Sequence, residues 1–259
     1  MARNVVGLVP AAGHATRLAP LPFSKELYPI GLRRLVGGTG RRPKAVCHYL
    51  LEKMRLADIT SAYIVIREGK WDIPAYLLDG SMLEMHFGYL VVESTAGPAY
   101  TLNQAYPFVR DAIVAFGFPD ILFDGDDAFR NLLSLQARRD ADIVLGLFPG
   151  DRPDGMDMVE VDGKGRVTDL VIQPRQTRLE YSWDVAVWTP VFTEFLRRYL
   201  TETVGAATQP PALSVGHVIQ AAIRQGLQTE AVIISNLPYC DIGTPDGLNT
   251  AIRRFAFPD

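Results

Sequence analysis

The chain has 259 residues, 48% of them hydrophobic, enough for one large core or two closely packed lobes. Its net charge of −3 hides an asymmetry: residues 1–55 hold ten Lys/Arg against two acids, +8, and the rest carries −11, which points to an anion bound near the N-terminus. No apolar run approaches ~20 residues, and residues 1–6 lack the apolar centre of a signal peptide, so neither a membrane span nor a secretory leader is expected.

Cys47 and Cys240 are too few for a disulfide framework and read as free thiols in a reducing cytoplasm. The four histidines at 14, 48, 86 and 217 are not closely paired, which argues against zinc. The basic N-terminal region lacks interleaved aromatics and any nucleic-acid-binding pattern, so a small polyphosphate explains it with fewer assumptions.

Val5–Pro10 reads as a buried strand that breaks into the small-residue turn Ala11-Ala12-Gly13 and then presents Arg17 and Lys25. Small side chains let a phosphate or a flat base approach backbone N–H groups closely, and two cations can neutralise a polyphosphate. A strand, a tight turn and cations suggest a nucleotide site at the carboxyl edge of a parallel sheet. A plain turn with solvated Arg17 and Lys25 fits these residues equally well. Only one glycine falls in the dinucleotide register, and there is no Gly-Lys-Ser/Thr, so both well-known phosphate loops are excluded.

Segment 31–42, with two Arg-Arg pairs around Gly-Gly-Thr-Gly, is predicted as a surface loop. Helices are predicted at 43–56, 98–109, 126–138, 190–202, 214–225 and 244–255, with Pro43, Pro98 and Pro190 in first turns. Further strands are predicted at 62–67, 89–93, 112–116, 143–148, 185–188 and 231–234. A hairpin over 158–161 and 167–172 turns at Asp162-Gly163-Lys164-Gly165 and is expected to roof a pocket. Segment 204–213 is predicted as a surface loop. Apolar strands alternating with helices give an α/β fold with a mostly parallel sheet.

Three positions stay open on this reading. Gly97 either enters a helix or approaches a ligand. Asp120 follows a strand end, with Asp124, Asp126 and Asp127 as neighbouring alternatives and Asp126 suited to a helix N-cap. Asp241 is a metal candidate or a cap for the helix from Thr244.

The N-terminal segment resembles the signature of sugar-1-phosphate nucleotidyltransferases, roughly Gly-x-Gly-Thr-Arg-Leu-x-Pro followed by Pro/Ser-Lys-x-Leu-x-Pro. Gly13, Thr16, Arg17, Leu18, Pro20, Ser24, Lys25, Leu27 and Pro29 fit it, and Ala15 replaces the second glycine. Asp241-Ile242-Gly243-Thr244-Pro245-Asp246-Gly247-Leu248 is similar to the segment that ends the catalytic domain in that family. The resemblance covers essentially the whole chain.

It implies a single catalytic domain over 1–259, a Rossmann-like mostly parallel sheet flanked by helices, with a β-hairpin insertion over the substrate pocket. It implies a cytoplasmic enzyme joining a nucleoside triphosphate, dTTP or UTP favoured, to a sugar-1-phosphate with loss of pyrophosphate. Neither nucleic acid nor membrane is expected as a partner, and a homo-oligomer is compatible with it. Arg17 and Lys25 would be catalytic, Ala11, Ala12, Gly13 and Gly97 would face the nucleotide, and Asp120 and Asp241 would hold Mg2+.

The acceptor half departs from the family. Gln173 stands where the family lysine binds the sugar phosphate, Met156-Asp157 replaces Tyr/Phe-Gly, and Ala186 falls at a family glycine. Arg175, Arg178 or Lys164 would then supply the missing cation. Two other readings remain: a non-sugar phosphorylated acceptor, and a nucleotide-binding regulator without turnover.

Overall fold

The computed structural model describes residues 4–34, 40–93, 96–205 and 211–256. Its elements, in chain order, are β1 (Val5–Pro10), β2 (Pro29–Arg34), β3 (Arg41–Ala45), α1 (Cys47–Leu56), β4 (Ser61–Arg67), α2 (Asp72–Leu77) and β5 (His86–Val92). There follow α3 (Pro98–Asn103), α4 (Tyr106–Val109), β6 (Ile113–Gly117), β7 (Ile121–Leu122), α5 (Ala128–Arg139), β8 (Ile143–Pro149), β9 (Met158–Val161) and β10 (Val167–Val171). The last are β11 (Tyr181–Trp188), α6 (Pro190–Gly205), α7 (Val215–Arg224), β12 (Thr229–Ile233), β13 (Cys240–Asp241) and α8 (Pro245–Phe255).

One sheet organises the molecule. β1 lies between β4 and β6, parallel to both, and β5 extends the sheet beyond β4. β11 runs antiparallel between β6 and β8, and β12 closes that side parallel to β8. The central strands β1, β6, β8 and β11 are buried on both faces because both are covered. α3, α4, α6 and α7 pack on one face around Phe116, Trp188 and Phe192. On the other face α1, α2 and α5 pack around Leu50, Met54 and Phe129. The chain leaves β1 for β4 on one side and returns to β6 on the other, so the carboxyl end of β1 is a topological switch point, where α/β sheets open a crevice.

Several boundaries differ from the sequence expectation. Segment 31–42 is largely strand: β2 and β3 pair antiparallel, Arg33 opposite Arg42. Residues 35–39 of that segment lie outside the described residues. Pro43 therefore sits in a two-stranded ribbon opposite Leu32, where its missing N–H is tolerated, and α1 starts only at Cys47. The helix expected over 98–109 divides into α3 and α4, with Pro107 in the first turn of the second. The hairpin β9–β10 extends the main sheet by pairing with β11, and it is the base of the hairpin that faces the crevice. Residues 206–210 of the loop expected at 204–213 lie outside the described residues. Both cysteines are buried and free. Among the described residues no helix is long and apolar enough to cross a membrane.

Candidate active site

A cleft of about 730 Å3 opens at the carboxyl ends of β1, β4 and β6, lined there by Pro10, Ala12, Arg67 and Phe118. Gly13, Arg17, Lys25, Gly97, Asp120, Asp157, Gln173 and Asp241 also line it.

Lys25 is placed by its neighbours in sequence. Ser24 donates from its N–H and its hydroxyl to the two carboxylate oxygens of Asp72, at 2.6 and 2.7 Å. Glu26 is ion-paired to Lys70 at 2.7 Å, both side chains being almost fully buried. Burial lifts the Glu26 carboxyl above its usual range despite Lys70, and burial lowers Lys70 despite Glu26. These two anchors clamp the short 3-10 turn Lys25–Leu27 to the segment after β4 and aim Lys25 at Asp120. The Lys25–Asp120 pair is mostly buried, with side-chain exposures of 13% and 12%. Burial opposes the Lys25 charge, yet Asp120, with help from Glu26 and Asp241, holds its pKa above the usual value. A solvated Lys25, as in the plain-turn reading, is thus corrected.

Asp120 and Asp241 are brought together by β7 and β13, two residues each and absent from the predicted elements. Asp241 pairs with Ile121, and the Ile242 N–H donates to the Asp120 carbonyl at 3.1 Å. Asp241 does not cap α8. Thr244 does, accepting from the Gly247 N–H at 3.1 Å. The Asp241 carboxylate instead accepts from the Gly243 N–H at 2.6 Å and faces Arg17 at 3.3 Å. A Cβ on Gly243 would press on both groups, 2.7 Å from the carboxylate and 2.8 Å from the guanidinium. The alternatives to Asp120 are engaged elsewhere: Asp124 with Arg254, Asp126 with Lys53 at 2.7 Å, and Asp127 with Arg130 at 2.9 Å.

The turn after β1 needs one correction. The Ala11 N–H donates to the Val65 carbonyl at 2.7 Å and its side chain is buried, so Ala11 does not offer its amide to a ligand. Ala12 and Gly13 do line the cleft. Nothing lies within 4 Å of a Cβ built on Gly13, so the space above it is open. Ala15, in place of the family glycine, adopts φ +53°, the left-handed conformation a glycine takes freely. Gly97 has both of its expected roles available: it is the N-cap of α3, its φ of +153° and the Leu213 carbonyl 2.6 Å from a built Cβ demand glycine, and it lines the cleft.

The acceptor half differs most from expectation. Ala186 is fully buried inside the sheet and does not reach the cleft. β11 starts at Tyr181 rather than 185, and its pairing with β8 slips between Trp183 and Val185. That bulge reverses the alternation and leaves Trp183 and Asp184 both on the cleft wall. Arg175, Arg178 and Lys164 are exposed and do not line the cleft, whereas Arg152 does. No run or motif marked Arg152, Trp183, Asp184 or Tyr239 in the sequence.

Asp157 rests against the N-terminus of α7, where a Cβ on Gly216 would overlap its carboxylate. Burial pushes its pKa up to about 6, the Gln173 main chain pulling the other way. The charged form is thus disfavoured by folding, a penalty absent below the unfolded pKa and complete above the folded one. Asp157→Asn is expected to raise stability by about 1–2 kcal/mol at pH 8, discounted for partial exposure, and the gain should fade toward pH 4. Thermal melts at both pH values check this; an equal gain at each would show that the charge is not its origin.

A family model, Nucleotidyl transferase, matches residues 6–256. A glucose-1-phosphate thymidylyltransferase of Streptomyces griseus is 25% identical over 233 residues, 88% of this chain and 60% of that protein. The chain thus spans about three-fifths of that relative's length. Among solved structures, a Bacillus anthracis protein assigned as a glucose-1-phosphate thymidylyltransferase, crystallised with sucrose, superposes with a TM-score of 0.80 at 18% identity, covering 98% of each chain. A UDP-glucose pyrophosphorylase bound to UDP-glucose gives 0.77 at 17%, covering 96% of this chain and 97% of that one. At these identities the two structures speak for the fold alone.

Proposed function

Since the chain belongs to the nucleotidyl transferase family, we propose that it transfers the nucleotidyl group of dTTP or UTP to a phosphorylated acceptor of the sugar-1-phosphate type, releasing pyrophosphate. The observation that carries this reading is the convergence of Arg17, Lys25, Asp120 and Asp241 on one cleft at the carboxyl end of β1.

In this reaction an oxygen of the acceptor phosphate attacks the α-phosphorus, the bond to the β-phosphate breaks, and pyrophosphate leaves. The protein's task is to align two anions and offset their charge. Arg17 and Lys25 are the cations for the triphosphate, and their pairing with Asp241 and Asp120 keeps them aimed into the cleft meanwhile. The amide of Gly13 and the space above it suit close approach of the nucleotide, with Ala12 and Gly97 beside it.

The same two carboxylates fit Mg2+. They are hard oxygen donors set side by side by β7 and β13, and among the described residues no third His, Cys, Asp or Glu joins them in a metal-binding group. Mg2+ is commonly held by one or two carboxylates together with substrate phosphates and water. Bound there, the ion would offset charge on the phosphate oxygens.

Calorimetry with dTTP and UTP tests the nucleotide half. Either nucleotide is expected to bind in the presence of MgCl2 and to bind much more weakly in excess chelator. Binding that ignores the chelator, or none of either nucleotide, would count against the assignment.

A further inference from the structure

We propose that the acceptor carries a protonated amine besides its phosphate, bound where Asp157, Asp184 and Trp183 meet in the cleft; this rests on the nucleotidyl-transfer reading. Asp184 is 6% exposed, sits on the β11 bulge and has a carboxylate oxygen, Oδ2, with no hydrogen-bond partner. Asp157 Oδ1 is likewise buried without a partner. A buried polar atom left unpaired is costly, so two orphaned acceptors on one cleft wall call for a donor that the ligand brings. An ammonium offers three donors and the complementary charge.

Burial raises the Asp184 carboxyl well above its usual range, and Asp120, Asp241 and Asp157 add to the rise, so a cation in the cleft would offset crowded negative charge. Among the described residues no three His, Cys, Asp or Glu side chains form a metal-binding group. The Trp183 indole N–H is also buried and unpaired, and suits a hydroxyl or phosphate oxygen of the same ligand. Trp183 and Tyr239 add aromatic surface beside the carboxylates, which favours a cation. Arg152 supplies a cation on the cleft wall for the acceptor phosphate.

Two matched pairs test the proposal: glucosamine-1-phosphate against glucose-1-phosphate, and 2-aminoethyl phosphate against 2-hydroxyethyl phosphate. Each pair differs at the amine, and the two pairs separate an amino sugar from an amino alcohol as its source. Binding is measured by calorimetry on the whole protein with dTTP or UTP and MgCl2, and turnover by pyrophosphate release. The amine member of at least one pair is expected to bind about tenfold or more tighter, and the preference should fall below about threefold in Asp184→Asn or Asp157→Asn. Using the ratio within a pair cancels general losses from imperfect folding. Equal or tighter binding of both hydroxyl members, no binding of any amine, or a preference untouched in both variants would overturn the proposal. An amine preference in binding without pyrophosphate release from any probe would uphold this site and refute nucleotidyl transfer.

Discussion

Lys25→Ala is expected to lower kcat by about 10²–10³-fold, the usual consequence of removing one preorganised group that stabilises charge in a transition state. The clamp around Lys25 is the reason to expect so much. Ser24 is tied to Asp72 and Glu26 to Lys70, so the ammonium is held in the cleft at little further cost in side-chain entropy. The substitution also leaves Asp120 buried without its partner. An unpaired buried charge is destabilising by about 3–5 kcal/mol at full burial, and somewhat less here because both side chains keep slight contact with solvent. Rates should therefore be taken well below the melting temperature of the variant. Lys25→Arg keeps the charge and should fold better, but its planar fork does not replace a point donor, so its rate should lie between the two. A normal kcat in Lys25→Ala with an intact fold would remove Lys25 from the mechanism.

The second large effect is expected at Asp241. Asp241→Asn keeps the shape and can still accept from the Gly243 N–H, so the turn before Thr244 should survive. Its lost partner, Arg17, is 63% exposed, and an exposed pair contributes little to stability. Melting temperature should stay within a few degrees of the parent. Activity should fall by about 10²-fold or more, with a higher Mg2+ requirement, because one of two carboxylates for the ion has lost its charge. Kinetics against MgCl2 concentration read this directly. An unchanged Mg2+ dependence would move the metal away from Asp241.

How far the sequence reached follows from the range of the interactions involved. The alternation of sheet and helix was legible because each apolar strand carries its own pattern, and all nine strands described in the main sheet were visible, seven as runs and two as the hairpin. The approach of Asp120 to Asp241 was not legible, because β7 and β13 have two residues each and exist only by pairing with one another across the fold. The resemblance implied a role for both residues, and only the register showed that they meet. The burial of Lys25 depends on Asp72 and Lys70, more than forty positions away. Ala186 was assigned by resemblance alone; it is fully buried within β11, and the residues of that strand on the cleft wall are Trp183 and Asp184, beside the bulge. Asp184 has no sequence mark beyond being an acid inside an apolar run, a pattern that favours either a paired charge or a functional one.

Product formation is the most direct measure of the account. The whole protein, dTTP or UTP, MgCl2 and one phosphorylated acceptor at a time would be followed by phosphorus NMR. At least one acceptor is expected to give pyrophosphate in equal amount with a new diphosphate diester, and neither should form when the acceptor or the metal is withheld. Release of inorganic phosphate from the nucleotide in place of pyrophosphate, or pyrophosphate formed without acceptor, would contradict it.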